Sequence, residues 1–182
     1  MSASGFKPFG ALAVVGLGLI GGSFARDVRR LGLARQIIGY DNNKAYLKEI
    51  SSLNLVDYLA ATPDEKLAEA ELILLAVPVK AFAEVLTQIR PHLSTSAIIT
   101  DSGSVKSPLL KIMSKVIVDA YQSNPPFFIA RESNENAGSF LYFSSSFEDT
   151  SATLSLHSSS VILWVEKLEI VNILFEIAVT KI

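Results

Sequence analysis

The sequence predicts an α/β fold built on a doubly wound parallel sheet. Short apolar runs typical of buried strands alternate with stretches of helical periodicity over residues 1–129. A glycine-rich turn follows the first apolar run, and an acidic residue, Asp41, ends the second. A strand, a glycine-rich turn, a helix and a second strand that ends in an acid are together typical of the Rossmann type of this fold.

The individual elements follow in order along the chain. Apolar runs predict strands at residues 11–15, 36–40, 72–77, 97–101 and 126–129, with a short strand or turn at 56–59. Amphipathic periodicity predicts helices at residues 22–31, 44–53 and 80–89. Thr62 is expected to cap a further helix, because Pro63 then occupies its first position and Glu65 lies three residues after the cap.

The glycine-rich turn has the spacing Gly-x-Gly-x-x-Gly. The first glycine permits a sharp turn, the second lets the backbone approach a pyrophosphate, and the third lets the helix lie close to the strand. The N-terminal N–H groups of that helix attract phosphates without a basic side chain. The turn is therefore predicted to bind a dinucleotide, through Gly16, Leu17, Gly18, Leu19, Ile20 and Gly21. The alternative is a tight turn without a ligand in another α/β protein.

Asp41 lies twenty positions after Gly21, at the end of the second predicted strand. Its carboxylate can accept both ribose hydroxyls of an adenosine, and it would repel a 2′-phosphate. The sequence therefore predicts NAD, in preference to NADP, as the coenzyme. The neighbouring Asn42 and Asn43 could soften that preference.

Two further turns leave the carboxyl ends of predicted strands, where a ligand lies in an open parallel sheet. The first contains Val77 and Pro78, and the fixed φ of the proline suits packing against a flat ligand ring, although a plain strand terminator explains it equally well. The second runs from Asp101 to Lys106 and concentrates small polar residues. Ser104 can hydrogen-bond a carboxamide or a substrate hydroxyl, and Lys106 could serve an anionic substrate or the following helix. Without the glycine turn, this segment would be interpreted as a capped helix start.

The composition of the 182 residues argues against several classes of protein. A net charge of −2 gives no reason to expect a nucleic acid or an anionic membrane surface as a partner. The absence of cysteine excludes disulfides and thiolate metal sites, and no metal site is predicted. The first residues do not form a signal peptide, and no apolar run is long enough for a transmembrane helix. We therefore expect a cytoplasmic protein.

Four segments together resemble the prephenate/arogenate dehydrogenase family. They are the glycine turn at residues 14–23, Gly-Tyr-Asp at 39–41, Leu-Leu-Ala-Val-Pro-Val at 74–79 and Thr-Asp-Ser-Gly-Ser-Val-Lys at 100–106. The resemblance covers about residues 11–129. Imine reductases and 3-hydroxyacid dehydrogenases have a similar first motif, but the last of these segments argues against them.

The resemblance implies an NAD(P)-dependent oxidoreductase of tyrosine, and hence aromatic amino acid, biosynthesis. The reaction would be the oxidative decarboxylation of a small molecule, prephenate or arogenate, with prephenate giving 4-hydroxyphenylpyruvate. The resemblance also assigns roles to residues of this chain. Ser104 would be the catalytic serine near the nicotinamide and the substrate hydroxyl, and the dinucleotide would be bound by Gly16, Gly18, Gly21 and Asp41.

The sequence departs from the family pattern after Ile129. Family members continue into a Gly-His-Pro-x-Ala-Gly segment whose histidine takes the proton of the substrate hydroxyl, whereas this chain reads Ala-Arg-Glu-Ser-Asn-Glu at residues 130–135. Histidine suits that role because its pKa lies near neutrality. The two histidines of the chain are His92, expected at the surface, and His157, in a serine-rich stretch, and neither lies in a supporting motif.

We therefore expect a dinucleotide-binding domain over residues 1–129 and a divergent, irregular tail over residues 130–182. Apolar runs at 161–165 and 170–179 could form a strand and a helix, or two strands. The tail stands where the family has a helical domain for the substrate and for homodimerisation, and it is either a frameshift product or a genuine short variant. Two functions remain open: a prephenate dehydrogenase-type enzyme, or a catalytically inactive NAD-binding fragment.

Overall fold

The computed structural model describes residues 7–94, 96–103, 109, 111–112, 115–116 and 127–129. In this part of the chain, six strands form one sheet in which every pairing is parallel. The strands are β1 (Phe9–Val15), β2 (Ala34–Tyr40), β3 (Tyr58–Ala60), β4 (Leu72–Leu75), β5 (Ile98–Asp101) and β6 (Phe127–Ile129). Their order across the sheet is β3-β2-β1-β4-β5-β6. The predicted doubly wound sheet of Rossmann type is confirmed.

The helices α1 (Leu19–Leu31), α2 (Lys44–Ser52) and α3 (Phe82–Ile89) connect the strands. Short 3-10 turns lie at Glu65–Glu69, Val79–Ala81 and Arg90–His92. α1 ends at Gly32, which adopts the left-handed conformation (φ 63°) and whose N–H donates to the carbonyl of Arg29. α2 begins at Asn43, whose side chain accepts a hydrogen bond from the N–H of Ala45.

The register of the strands brings their carboxyl ends to one level. Val15, the last residue of β1, is paired with Tyr40 of β2 on one side and with Leu75 of β4 on the other. Leu75 is in turn paired with Asp101, the last residue of β5. The loops that follow these four strands therefore leave the sheet side by side.

The side chains of the strands divide between two apolar faces. One face carries Ala13, Val15, Ile38 and Tyr40, which form a buried cluster with residues of α3 and of the 3-10 turn before β4, among them Leu67, Phe82, Leu86 and Ile89. The other face carries Val14 and lies against α1, since a Cβ atom on Gly21 would come within 3.0 Å of Val14 Cγ1. All four residues of β4 are buried, as expected for a strand that is covered on both faces.

Several element boundaries differ from the predicted ones. α1 begins at Leu19, three residues earlier than predicted, because Leu19, Ile20 and Gly21 belong to the helix and not to the turn before it. β4 ends at Leu75 and α3 begins at Phe82, because a 3-10 turn at Val79–Ala81 lies between them.

The predicted helix with Thr62 as its cap is wrong. Asp64 caps a 3-10 turn at Glu65–Glu69 instead, and its carboxylate accepts a hydrogen bond from the N–H of Lys66. Asp64 also accepts hydrogen bonds from the hydroxyls of Tyr40 and Tyr58. These contacts between distant parts of the chain favour Asp64 over Thr62 as the cap.

The predicted tail at residues 130–182, with its apolar runs and His157, lies outside the described residues, and the boundary at residue 129 stays a prediction. Within the described part of the chain, no helix is long and apolar enough to cross a membrane. The same residues contain no group of three or more His, Cys, Asp or Glu side chains placed to hold a metal ion.

Candidate functional site

The carboxyl edge of the sheet brings together most of the residues predicted to form a site. Backbone hydrogen bonds continue one residue beyond the strands and determine where each loop leaves the sheet. They run from the N–H groups of Gly16, Asp41, Ala76 and Ser102 to the carbonyls of Tyr40 (2.8 Å), Ala60 (3.2 Å), Val15 (2.8 Å) and Leu75 (3.0 Å). The glycine turn, Asp41, the loop at Val77 and the loop at Ser102 therefore form one continuous edge. Ser104 and Lys106 lie outside the described residues.

Two glycines of the turn are required by the fold itself. Gly16 has a φ of 90°, and a Cβ atom there would lie 2.5 Å from the carbonyl oxygen of Ala76. A Cβ atom on Gly21 would lie 1.9 Å from the carbonyl oxygen of Gly16. Both contacts are with backbone atoms, so neither position accepts a larger residue without a shift of the main chain.

Gly18 is different, because neither its φ angle nor the described atoms around it require a glycine. Its φ of −64° is ordinary, and a Cβ atom there would meet no described atom within 4 Å. The residue is exposed and directly precedes α1. The backbone of the turn is thus open to a ligand at this position.

The start of α1 presents backbone donors to the same edge. The first hydrogen bond within the helix runs from the N–H of Gly22 to the carbonyl of Gly18 (2.8 Å), so the N–H groups of Leu19, Ile20 and Gly21 have no acceptor inside the helix. Gly18 supplies no side-chain cap, and the first turn of α1 contains no acidic residue. This positive end of the helix suits an anion.

The side chains of Leu19 and Ile20 are exposed in the first turn of α1. Their exposed fractions are 73% and 41%, which is high for large apolar residues. Their position beside Gly18 places apolar surface next to the open backbone of the turn.

Leu17 is held through both its side chain and its backbone. Its side chain is buried against Gly39 of β2, where a Cβ atom would lie only 2.7 Å from Leu17 Cδ1. Its N–H donates to Asp41 Oδ2 over 2.8 Å. The turn is therefore tied both to the face of β2 and to the acid that ends this strand.

Asp41 is half-buried, and backbone donors orient its carboxylate. Oδ2 accepts from Leu17, and Oδ1 accepts from the N–H of Asn43 over 2.9 Å. Each carboxylate oxygen can accept a second hydrogen bond, so the group retains the capacity to bind hydroxyls. The side chain of Asn43 is engaged as the cap of α2, whereas Asn42 is exposed.

The loop after β4 packs against the glycine turn. The Cγ1 atom of Val77 lies 2.9 Å from the position that a Cβ atom on Gly16 would take. Pro78 is exposed, and its carbonyl accepts the N–H of Ala81 over 2.8 Å, which makes it the residue before a 3-10 turn. Because β4 has already ended at Leu75, Pro78 is not the terminator of that strand.

β5 ends in a buried acid that shapes the loop after it. Asp101 is 1% exposed, and its Oδ1 accepts the N–H of Gly103 over 2.7 Å. A Cβ atom on Gly103 would lie 2.5 Å from Leu109 Cδ1, so the loop also lies close to the helical residue Leu109. This arrangement folds the loop tightly just before Ser104.

A cluster of two tyrosines and an aspartate at this edge could not be predicted from the sequence. The hydroxyl of Tyr40 donates to Asp64 Oδ1 over 2.8 Å, and the hydroxyl of Tyr58 donates to Asp64 Oδ2. Burial and the hydrogen bond to Asp64 raise the pKa of Tyr40 far above its usual value. Burial also favours the neutral form of Asp64, but the hydrogen bonds from the two tyrosines and from the N–H of Lys66 outweigh it and lower the pKa of Asp64. The cluster therefore fixes the side chain of Tyr40, the residue that directly precedes Asp41.

His92 lies partly exposed in the 3-10 turn at Arg90–His92, and its charge makes a small contribution to the lowered pKa of Asp64. No described contact connects His92 with the glycine turn.

A doubly wound parallel sheet with a glycine turn, an uncapped helix start and an oriented acid at its carboxyl edge defines a Rossmann-type nucleotide-binding domain. The family model described as "Prephenate dehydrogenase, nucleotide-binding domain" matches residues 24–146. The chain therefore belongs to the prephenate dehydrogenase family, as the four sequence motifs indicate. The glycine turn at residues 16–21 precedes the matched range.

Similar proteins and solved structures carry names of the same family. The chain is 34% identical to the cyclohexadienyl dehydrogenase of Zymomonas mobilis over 130 residues, which are 71% of this chain and 42% of that protein. A crystal structure of prephenate dehydrogenase from A. aeolicus with hydroxyphenyl propionate and NAD+ is 26% identical, with a TM-score of 0.59, over 72% of this chain and 44% of that one. Synechocystis arogenate dehydrogenase is 32% identical, with a TM-score of 0.56, over 67% and 40%. The chain thus spans less than half the length of these relatives.

Proposed function

We propose that this chain binds NAD at the carboxyl edge of its sheet, as the coenzyme domain of a prephenate dehydrogenase-type oxidoreductase of tyrosine biosynthesis. The observation that carries the proposal is the open backbone at Gly18, next to the uncapped start of α1 and the oriented carboxylate of Asp41. The comparison with a prephenate dehydrogenase solved with NAD+ supports it.

The pyrophosphate would lie over Gly18. The space there holds no described protein atom within reach of a Cβ, and N–H groups from Leu19, Ile20 and Gly21 point from the start of α1. These donors can neutralise phosphate charge without a basic residue. The exposed side chains of Leu19 and Ile20 would then be partly covered by the coenzyme.

The adenosine ribose would bind to Asp41. Its carboxylate is already held by the N–H groups of Leu17 and Asn43, so little order is lost when two ribose hydroxyls donate to its remaining acceptor positions. A 2′-phosphate would meet a negative charge at the same place. We therefore propose NAD as the preferred coenzyme over NADP.

The nicotinamide would lie toward the loops after β4 and β5, beside Val77 and Pro78. When bound, NAD would supply the acceptor for a hydride from the substrate. Ser104 is proposed as the catalytic residue that hydrogen-bonds the substrate hydroxyl and positions its carbon. The substrate, prephenate or arogenate, would lose a hydride from the hydroxyl-bearing ring carbon and its ring carboxylate as carbon dioxide. The hydroxyl proton would pass to a base and return to the phenolate oxygen once the ring is aromatic.

A second candidate function is NAD binding without catalysis. Residues 130–135 contain no histidine where the family pattern has one, and the chain has two histidines in all. Loss of a general base typically lowers a rate by about 10²–10⁴-fold. A frameshift after residue 129 would explain the missing motif, although the family match extends to residue 146. A Gly-His-Pro-x-Ala-Gly segment in another reading frame of the encoding DNA would support this explanation, and its absence would oppose it.

Two successive assays on the full chain distinguish the candidates. NADH is first titrated and followed by its fluorescence, and formation of NADH is then measured with saturating NAD and either prephenate or arogenate. Binding with turnover supports the dehydrogenase, and binding without turnover supports the inactive fragment. A chain that is folded by circular dichroism and does not bind NADH contradicts both.

A further inference from the structure

Gly39 occupies an unusual position for a glycine, in the interior of a paired and buried strand. It faces Val14 of β1 on one side and Leu59 of β3 on the other. Glycine weakens a strand interior, and it often marks a place where another group approaches the backbone closely. Here the approaching group is the side chain of Leu17, which belongs to the glycine turn.

A side chain at position 39 would collide mainly with Leu17. A Cβ atom there would lie 2.7 Å from Leu17 Cδ1, and 3.0 Å and 3.2 Å from the two methyl groups of Val56. β2 cannot easily give way, because it is hydrogen-bonded on both sides and its next residue, Tyr40, is held by Asp64. The atom in the way is the end of the Leu17 side chain, but this side chain is buried (5% exposed) and has little room to rotate, so Leu17 and the turn that carries it are the groups that would shift.

Movement of Leu17 would reach Asp41 through a single hydrogen bond. The N–H of Leu17 donates to Asp41 Oδ2 over 2.8 Å, and Oδ1 is held separately by Asn43. If the turn shifts, the carboxylate keeps one of these two backbone donors and loses its orientation toward the turn. We call Leu17, Gly39 and Asp41 the Leu17 anchor.

We propose that Gly39 is a positioning residue for coenzyme selection: by admitting Leu17 it holds the pyrophosphate-binding turn and the ribose-binding carboxylate in one fixed arrangement. This inference rests on the proposed binding of NAD. Both NADH and NADPH would use the turn, but only NADH gains from a correctly oriented Asp41. Displacement of Leu17 should therefore weaken NADH more than NADPH, whereas a general loss of stability would weaken both alike.

The test compares the ratio of the NADPH and NADH dissociation constants in the full chain for the wild type, G39A, L17A/G39A and V56A/G39A. G39A should lower the ratio about tenfold, because a hydrogen bond to a charged group is misplaced. L17A/G39A should restore the ratio to within about threefold of the wild type, because the new methyl group takes the place of the leucine side chain and the N–H of residue 17 is retained. V56A/G39A relieves the other collision and should leave the ratio low.

The proposal is overturned if folded G39A keeps the wild-type ratio, or if V56A rather than L17A restores it. If G39A does not fold, recovery of folding and of the ratio in L17A/G39A supports the proposal, and failure of that double variant to fold overturns it. A wild type that does not bind NADH overturns the proposed function instead. Hydrogen exchange of the Leu17 amide then tests the Leu17 anchor independently. This amide should be protected in the wild type and should exchange faster in G39A, and equal exchange rates overturn the proposed anchor.

Discussion

The two edges of the sheet carry similar chemical groups that serve different purposes. At the amino edge, Asp57 accepts the N–H of Ile37 and pairs with Arg29, each over 2.7 Å, and Glu71 accepts the N–H of Gly10 over 2.8 Å. At the carboxyl edge, Asp41 accepts two backbone N–H groups, and α1 begins without a side-chain cap. Charges at the first edge are thus satisfied by other parts of the protein, whereas the second edge keeps acceptors and donors that suit a ligand.

This difference means that stability and coenzyme affinity should respond to separate residues. Substitutions at the amino edge should lower the free energy of unfolding and leave NADH binding nearly unchanged. Substitutions at Gly18 or Asp41 should weaken NADH binding and have the smaller effect on the free energy of unfolding. At sites of function, the local structure of a protein is commonly not optimised for stability alone.

The largest expected effect separates two glycines of the same turn. G21A should destabilise the protein by roughly 3 kcal/mol or more, because its Cβ would lie 1.9 Å from a backbone oxygen that cannot move freely. G18A should lower the free energy of unfolding by only about 1 kcal/mol, because alanine is a poorer N-cap residue than glycine but its Cβ atom has open space around it. Urea denaturation of both variants measures the difference.

NADH titration of G18A completes this comparison. Its methyl group would stand where the pyrophosphate approaches the backbone, so the dissociation constant should rise at least about tenfold. Equal losses of stability in G18A and G21A would show that Gly18 serves the fold, and the contrast between the two edges would fail at this residue.

The next largest effect concerns Asp41 and its counterpart Asp57. D41N removes the charge that accepts the ribose hydroxyls, and the NADH dissociation constant should rise about 10- to 100-fold. D57N serves as the matched control, with a change below about twofold, because the described contacts of the Asp57 side chain, with Ile37 and Arg29, lie away from the carboxyl edge. Fluorescence titration gives both constants, and a similar rise in the two variants would contradict the assignment.

D57N should instead reduce stability, by about 1–2 kcal/mol. The carboxylate holds the N–H of Ile37 and the guanidinium of Arg29, but both side chains are about two-fifths exposed and water screens their attraction. D41N, measured by urea denaturation under the same conditions, should lose less. A larger loss in D41N than in D57N would reverse the proposed division of roles.

The smallest expected effect is a dependence of stability on pH. Burial favours the neutral form of Asp57, but hydrogen bonds from Arg29 and from the N–H of Ile37 outweigh it, so the pKa in the folded state lies below its value of 3.8 in the unfolded chain. The stabilisation is thus present above the unfolded pKa and is lost as the pH falls through the folded one. Between about pH 5 and pH 3, the wild type should lose up to about 1 kcal/mol more than D57N. Parallel curves for the two proteins would contradict the role of Asp57.

Much of the fold could be predicted because its signals are local. Continuous apolar runs such as residues 72–77 indicate strands covered on both faces, and their alternation with helices permits few sheet orders. The glycine turn and Asp41 lie close in sequence to the strands that position them. Their meeting at one edge follows from parallel pairing alone.

The features that could not be predicted depend on contacts between distant residues. Asp64 replaces Thr62 as a cap because it also accepts the hydroxyls of Tyr40 and Tyr58, which no short-range pattern reveals. The role of Gly39 depends on Leu17, twenty-two positions earlier. A glycine inside an apolar strand nevertheless indicates that another group approaches the backbone closely, so the sequence does contain a signal for position 39.

The most direct test of the central claim is to follow the backbone amide signals of the isotope-labelled protein by NMR during titration with NADH. The amides of Leu17, Gly18, Leu19 and Asn43 at the carboxyl edge should shift, while those of Gly10, Ile37 and Asp57 at the amino edge should not. Shifts concentrated at the amino edge, or a folded protein whose spectrum does not change with NADH, would contradict it.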